Sequence, residues 1–407
     1  MIRRALTNTG WLMGARGINA VLSLGYLALA TRALGLEGFG NFILVTAFAQ
    51  AVSGVVSFQT WQSVVRWGQR PATVADAIGF SIALDLLSVV AGSIVAAVLL
   101  AFAGDWLPVP QELHREAFGL TVVWLLALRS TPTGILRLHD RYAKAAAADS
   151  VTSIVRIAGS AVAFIFSPTI PTFLLAWAAG ELVTAAAYWL YALQNERLSV
   201  RAISLTTLPR LEPKVWSFVW GTGLSGTLLI ASRQLIVLLV GTFGGAAMAG
   251  IYRVAAQLGE GLLKLAQALL RATYPELVRD PEKARHIARR IGQIALVTGI
   301  ATVAVAALAG HWVLDIIAGR EYRAAYVPMI ILSAAAAVEL AGASLEALLV
   351  ARGHAFRNFM LRAVPTALAV AILPFAVSAN GASGASLAVL AASSLTVAGL
   401  LWVNRER

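Results

Sequence analysis

Apolar stretches long enough to cross a bilayer recur along the whole of this 407-residue chain and constrain its fold more than any other feature. A transmembrane helix needs about 20 mostly apolar residues. Hydrophobic residues make up 59% of the sequence, and charged residues make up 13%, about half the share usual in soluble domains. We therefore expect an all-α integral membrane protein without a separate soluble domain.

Apolar runs separated by charges, glycines and prolines predict about twelve transmembrane helices. The first run, which reaches about Thr31, lacks a small-residue cleavage site, so we interpret it as a retained helix rather than a signal peptide. The predicted spans cover residues 8–31, 40–65, 77–103, 116–137, 147–167, 172–193, 215–241, 246–274, 291–317, 326–350, 359–378 and 385–403.

The distribution of Lys and Arg predicts the orientation of the spans. Every second loop and both ends of the chain are rich in these residues, whereas the intervening loops hold few beyond Arg115, Arg320 and Arg323. The positive-inside rule places the basic loops and both termini in the cytoplasm. The formal net charge of +12 is thus explained by topology, and we expect no nucleic-acid partner.

Several kinds of chemistry are disfavoured by the sequence. The chain has no cysteine, so disulfides and thiolate catalysis are excluded, and its five histidines have no metal-ligand spacing. The predicted outer loops are too short for a catalytic domain. We therefore expect a protein that is not an enzyme and has neither a metal nor a cofactor.

A weak internal repeat divides the chain into two halves of six spans. A glycine followed two residues later by an aromatic residue opens both the second and the eighth span, as Gly40 and Phe42 and as Gly250 and Tyr252. Parallel repeats of this kind build many transporters, with the site between the halves. We predict an N-terminal bundle over 1–195, a cytoplasmic linker over 196–214 and a C-terminal bundle over 215–407.

Ionisable residues within the predicted spans must face protein or water, because each costs about 2.5–3.5 kcal/mol against lipid at mid-membrane. The eighth span is the clearest case, since its polar residues are spaced by three and four and share one helical face. This stripe predicts the wall of a hydrated cavity; the alternative is a polar seam that joins helices. Its members are Arg253, Gln257, Glu260, Lys264, Gln267 and Arg271.

Two further arginines and three acids are candidate functional residues. Arg16 in span one could face the cavity or extend to the cytoplasmic interface, and Arg233 in span seven could line the cavity or pair with an acid. Polar side chains on spans three, five and six, including Asp85 and Glu181, resemble structural networks within the bundle. The candidates for ion or proton coupling are Asp85, Glu339 and Glu346. A structural role is the favoured interpretation of Asp85, and structural pairing is an equal alternative for Glu339 and Glu346.

The segment from Ala30 to Phe42, together with Ala249–Tyr252, resembles the polysaccharide-biosynthesis flippases of the multidrug/oligosaccharidyl-lipid/polysaccharide exporter superfamily. The resemblance implies two six-helix bundles related by pseudo-twofold symmetry in a MATE-like V shape. It implies transport of a polyprenyl-diphosphate-linked oligosaccharide to the outer leaflet by alternating access. Carried onto this sequence, the cavity residues are Arg16, Arg233, Arg253, Gln257, Glu260 and Lys264, with Gln59 and Gln62 as weaker additions.

The same resemblance implies a multi-pass protein of the bacterial inner membrane, monomeric and working beside other polysaccharide-assembly membrane proteins. Arginine suits the diphosphate group, because its guanidinium forms bidentate, charge-assisted hydrogen bonds. The main alternative is a cation-coupled multidrug exporter of the same fold, to which Asp85 and Glu181 would be suited. A membrane-bound sugar polymerase or transferase is disfavoured by the short outer loops.

Overall fold

The computed structural model describes the backbone of residues 2–277, 284–351 and 355–405, and the side chains of residues 19, 21–223, 232–261, 293–343, 345, 346, 349 and 356–403. This part of the chain forms helices and no strands, which confirms the predicted all-α class. Its α-helices are α1 (Ile2–Val56), α2 (Thr60–Trp67), α3 (Val74–Phe102), α4 (His114–Leu126), α5 (Ser130–Leu138), α6 (Tyr142–Phe166), α7 (Ile170–Leu193), α8 (Thr207–Leu211), α9 (Val215–Leu277), α10 (Ala284–Ile317), α11 (Tyr326–Ala351) and α12 (Ala355–Arg405). Short 3-10 helices lie at Gly104–Trp106, Gln111–Leu113, Val200–Ala202 and Arg320–Ala325.

Three of the helices are too long to cross a bilayer once. Helices α1, α9 and α12 contain 55, 63 and 51 residues, and about 20 residues already span 30 Å. Each turns at a glycine with positive φ, namely Gly35 at 67°, Gly245 at 81° and Gly381 at 54°. Each turn interrupts the helical dihedral angles and so separates two spans. Glycine occupies these positions because it adopts a positive φ without strain. The described residues hold nine stretches apolar enough to cross a membrane, and three of these, of 47, 30 and 48 residues, contain such a turn.

Two predicted spans are interrupted in the structure. Residues 57–59 separate α1 from α2 inside predicted span two, and residues 127–129 separate α4 from α5 inside predicted span four. The second interruption lies just before Pro132, which occupies the first turn of α5. Proline removes a helical hydrogen bond and clashes with the preceding turn, so the helix stops before it. No proline accompanies the first interruption.

The chain divides into two compact units that are described separately below. Unit 1 consists of Met1–Leu29 and Leu44–Leu235, and unit 2 consists of Ala30–Ile43 and Ile236–Arg407. The predicted division into bundles over 1–195 and 215–407 with a linker between them stays a prediction.

Unit 1 has an aromatic core where α2, α3 and the start of α9 meet. Trp67 makes an edge-to-face contact with Phe218 at a centroid distance of 5.2 Å, and Phe80 makes one with Trp216 at 5.4 Å. These geometries add to the dispersion energy of ring burial. They hold the first turns of α9 against α2 and α3.

Unit 2 is held by close backbone approach at the glycines of the repeat. A Cβ atom at Gly40 would lie 1.9 Å from the carbonyl oxygen of Ala246, and one at Gly250 would lie 3.3 Å from the Cα of Gly40. Small residues permit such contacts between membrane helices. Gly40 lies five residues after Gly35, and Gly250 lies five residues after Gly245. Since Gly35 and Gly245 both have a positive φ, the two matched segments also share a local backbone structure.

Candidate functional site

The predicted cavity residues are distributed over both units. Arg233 is exposed and belongs to unit 1, whereas Arg253, Gln257 and Glu260 are half-buried on α9 in unit 2. Arg233, Gln257 and Glu260 each interact with another residue. The side chains of Arg16 and Lys264 lie outside the described residues.

A cavity lies in unit 1, at the two helix interruptions. Its volume is about 280 Å³, and its lining surface is mostly apolar, with hydroxyl, amide and charged side chains contributing the rest. Both interrupted segments contribute to its wall, together with α3 and the last turns of the two preceding helices. The lining residues are Gln50, Ser53, Gly54, Ser57, Phe58, Asp85, Ser88, Trp124, Leu125, Ala127, Leu128, Arg129 and Ser130.

Asp85 connects the two helices that begin at this cavity. The hydroxyl of Thr60 donates to one carboxylate oxygen over 2.8 Å, and the hydroxyl of Thr131 donates to the other over 2.6 Å. Thr60 is the first residue of α2 and Thr131 the second of α5. The N-terminus of a helix carries a partial positive charge, so a carboxylate is favoured there. Asp85 therefore stabilises both helix starts, which supports the structural alternative for this residue.

A second group of charges lies beside the cavity and joins α5, α6 and α7. Glu181 on α7 is 1% exposed and accepts hydrogen bonds from Arg129 on one oxygen and from Arg156 on the other. The guanidinium carbon of Arg156 also lies 3.7 Å from the ring centroid of Trp177, a cation–π contact. One buried acid thus holds two arginines, and one of these, Arg129, lines the cavity.

Helices α6 and α7 share further polar contacts of the kind predicted for spans five and six. The Tyr188 hydroxyl donates to Asp149 over 2.7 Å, and the hydroxyls of Thr152 and Thr184 are 2.7 Å apart. These bonds satisfy polar groups that would be costly against lipid. The interpretation of these residues as a network within the bundle is confirmed.

The other two coupling candidates lie on α11 in unit 2 and contact α12. Glu339 accepts a 2.9 Å hydrogen bond from Ser393. Glu346 accepts a 3.0 Å bond from Asn358 and forms an ion pair with Arg362 at 3.5 Å. Among the described residues, Glu339 is bonded to a neutral partner and Glu346 also to a charged one; the role of either residue in coupling stays a prediction.

Sequence reasoning missed most of the cavity in unit 1. Gln50, Ser53 and Ser57 are spaced by three and four residues, so a polar face of span two was present as a signal. Gln59, which the sequence suggests as a weaker cavity residue, instead accepts a 2.9 Å hydrogen bond from the indole of Trp61. Trp124 gave no signal, since a tryptophan in an apolar span is usually a lipid or core contact.

Comparison with known proteins gives a family and a fold. The sequence profile of the family described as "Polysaccharide biosynthesis protein" matches residues 5–280. The inner membrane protein YghQ of Escherichia coli (strain K12) is 29% identical over 338 residues, which are 80% of this chain and 95% of that protein.

Two solved structures are similar over nearly the whole chain. The lipid II flippase MurJ in an inward closed conformation has a TM-score of 0.71 at 12% identity, with 95% of this chain and 86% of that one covered. An inward-facing multidrug resistance MATE family transporter of the MOP superfamily has a TM-score of 0.65 at 18% identity, with 97% and 94% covered. These likenesses confirm the predicted MATE-like fold class.

Proposed function

This chain belongs to the polysaccharide biosynthesis protein family of membrane transporters and flippases, and we propose that it moves a polyprenyl-diphosphate-linked oligosaccharide from the cytoplasmic to the outer leaflet of the inner membrane. The proposal is carried by one observation above the others. A multi-pass chain of this family, helical in its described residues, has a cavity among its spans whose wall includes hydroxyl, amide and charged side chains, and none of these is needed to anchor it in lipid.

The polar stripe predicted on α9, which carries more basic than acidic residues in the sequence, supports an anionic headgroup as the ligand. Arg253, Gln257 and Glu260 follow one another at intervals of four and three residues, so they share a helical face. We propose that this face, with Arg16, Arg233 and Lys264, binds the diphosphate and its first sugar. Guanidinium groups bind diphosphate oxygens in bidentate fashion, and amides bind hydroxyls.

We also propose which carboxylate couples transport to a proton or cation gradient. A coupling carboxylate must exchange a proton or cation without the loss of a structural ion pair. Glu339 meets this requirement better than Glu346, which is paired with Arg362, or Asp85, which holds two helix starts. We also propose cytoplasmic termini and a monomer that works beside other polysaccharide-assembly proteins.

A cation-coupled multidrug exporter is the second candidate, because the similar solved structures include a multidrug transporter. Asp85 and Glu181 are buried acids in unit 1, as an exporter of cations would need. Both acids, however, are already bonded to hydroxyl or guanidinium groups.

Deletion of the gene separates the two candidates. A flippase mutant loses a surface glycan and accumulates its lipid-linked unit in the inner leaflet, whereas an exporter mutant keeps its glycans and becomes sensitive to cationic drugs. In the complemented strain, Arg253→Ala and Lys264→Ala should reduce glycan export at unchanged protein level. Arg320→Ala, at an exposed arginine outside the stripe, is the matched control. Normal export by both stripe variants would refute the headgroup assignment.

A further inference from the structure

The cavity of unit 1 is lined by an unsatisfied hydrogen-bonding group. The hydroxyl oxygen of Ser53 lines it, is buried in a residue only 5% exposed, and has no hydrogen-bond partner among the described residues. Leaving such a group unpaired in a buried position costs its desolvation free energy without return. An unpaired hydroxyl at the wall of a cavity therefore points to a ligand that pairs with it.

The interruption of α4 leaves backbone acceptors at a helix end whose residues line the same cavity. The helix ends at Leu126, and the amide of Leu128 donates to the carbonyl of Leu126 rather than to that of Trp124, its partner in a continuous helix. Carbonyls at a helix end that lack an intrahelical donor need another one, above all at membrane depth. Trp124 and Leu125, both in this last turn, line the cavity. The cavity thus favours a ligand that donates several hydrogen bonds.

The charges around the cavity cancel. Asp85 and Glu181 contribute two negative charges, and Arg129 and Arg156 contribute two positive ones. Both oxygens of Asp85 accept hydroxyl protons, as an ionised carboxylate does. A ligand with net charge would upset this balance in a medium of low dielectric constant, so an uncharged ligand fits better than a cation or an anion.

Aromatic rings complete the site. Phe58 and Trp124 line the cavity beside the hydroxyls of Ser53, Ser57, Ser88 and Ser130 and the amide of Gln50. A pocket with apolar walls and a few converging polar groups is typical of small-molecule sites. Uncharged sugar rings match this set, because they present C–H faces to aromatic rings and hydroxyl donors to carboxylate, carbonyl and serine oxygens.

We propose that the cavity at the paired helix interruptions binds one uncharged sugar ring of the transported glycan, and that Ser53 and Trp124 determine sugar specificity. This inference rests on the proposed function. It goes further by assigning the recognition of the sugar, as distinct from that of the diphosphate, to residues of unit 1. Asp85 then both fixes the two helix starts and presents carboxylate oxygens at the sugar site.

The test compares two probes on the purified full-length chain. One is the lipid-linked oligosaccharide extracted from the deletion strain, and the other is polyprenyl diphosphate without sugar. The detergent must have no sugar headgroup, since such a headgroup would compete. The measured quantity is the ratio of the two dissociation constants.

Ser53→Ala and Trp124→Leu should lower the preference for the glycan-bearing probe while leaving binding of the bare lipid diphosphate unchanged. We expect about a tenfold fall for Trp124→Leu and a smaller one for Ser53→Ala, since 1.4 kcal/mol corresponds to a factor of ten. The matched controls are Trp106→Leu, at an 85% exposed tryptophan, and Ser93→Ala, whose hydroxyl bonds to the carbonyl of Val89 on its own helix and does not line the cavity.

The outcomes separate this inference from the proposed function. Unchanged preference in both variants, or an equal loss for both probes, overturns the sugar site while wild-type binding still supports a flippase. Failure of the wild-type protein to bind either probe overturns the proposed function as well. Binding of the cationic dye ethidium that is lost in Trp124→Leu would assign the cavity to a drug and refute the sugar site.

Discussion

Units 1 and 2 both bring backbones together at glycines, but they differ in how deeply they bury the charges that join their helices. In unit 1 a Cβ at Gly79 would lie 2.0 Å from the carbonyl oxygen of Ala202, much like the contact of Gly40 in unit 2. Unit 1 buries charges and joins them across helices, as Glu181 does with Arg129 and Arg156. Unit 2 brings backbones into direct contact at glycines such as Gly40 and Gly250. The ion pairs described in unit 2, Arg323 with Asp315 and Arg362 with Glu346, have more exposed side chains.

The difference has a physical basis in the membrane. Lipid tails are as apolar as the side chains they touch, so helices associate through close packing and interhelical hydrogen bonds rather than through the hydrophobic effect. Glycine contacts create a tight interface in which the glycines offer no side-chain hydrogen-bonding groups. Buried polar groups stabilise helices too, but they also surround a cavity of about 280 Å³ with hydrogen-bonding atoms. Unit 1 is therefore suited to recognise a ligand in a way that the described glycine contacts of unit 2 are not.

The strongest way to break unit 1 is to neutralise its shared acid. Glu181→Gln keeps the shape but leaves two arginines without a carboxylate, and breaking a buried ion pair costs about 3–5 kcal/mol. We expect a large fall in the thermal midpoint of the purified protein, measured by its retention of monodisperse elution after heating. Asp315→Asn, which removes an exposed pair in unit 2, should change the midpoint little. Equal effects of the two substitutions would contradict the contrast between the units.

The corresponding way to break unit 2 is to add one methyl group at a glycine contact. In Gly40→Ala the new Cβ meets the carbonyl oxygen of Ala246 at 1.9 Å, so backbone must move. Overpacking of this kind costs about 1–3 kcal/mol. Gly261→Ala on α9 is the matched control, because a Cβ there meets no described atom within 4 Å. If Gly40→Ala were as stable as this control, close backbone contact would not hold unit 2.

Asp85 sharpens the comparison, since it is a buried acid whose bonded partners among the described residues are the hydroxyls of Thr60 and Thr131. Asp85→Asn replaces one acceptor oxygen by an amide that cannot accept the proton of Thr60 or Thr131. We expect a loss of about 1–3 kcal/mol, less than for Glu181→Gln, in the same thermal assay. Combination with Thr60→Val should show a coupling energy between the two sites; strict additivity would mean that Asp85 does not fix the start of α2.

The smallest expected effect concerns a side-chain bond in unit 2. The Tyr322 hydroxyl donates to the carbonyl of Gly35 over 3.0 Å, at the turn within α1. Interhelical hydrogen bonds in membrane proteins contribute about 0.6 kcal/mol on average, so Tyr322→Phe should lower stability slightly. A loss as large as that of Gly40→Ala would show that side-chain bonding, rather than backbone contact, dominates in unit 2.

The sequence predicted the features of the fold that depend on local pattern. Apolar runs predicted the spans, and the Gly-x-aromatic repeat pointed to the two segments that meet at Gly40 and Gly250. The local pattern of the chain could not predict the interruption at residues 57–59. This interruption has no proline and depends on a tertiary contact, the hydrogen bond between Thr60 and Asp85. The pairing of Glu181 with two arginines was likewise beyond the sequence, because many intramembrane acids and bases were available and only the fold selects partners.

Reconstituted flipping tests the central claim most directly. Purified protein is placed in vesicles that carry the lipid-linked oligosaccharide from the deletion strain, and the fraction of glycan accessible from outside is followed with a membrane-impermeant enzyme. We predict that the protein makes the inner-leaflet glycan accessible and that Arg253→Ala slows this transfer. Absence of transfer by well-folded protein that instead carries ethidium across the same membrane would contradict the account.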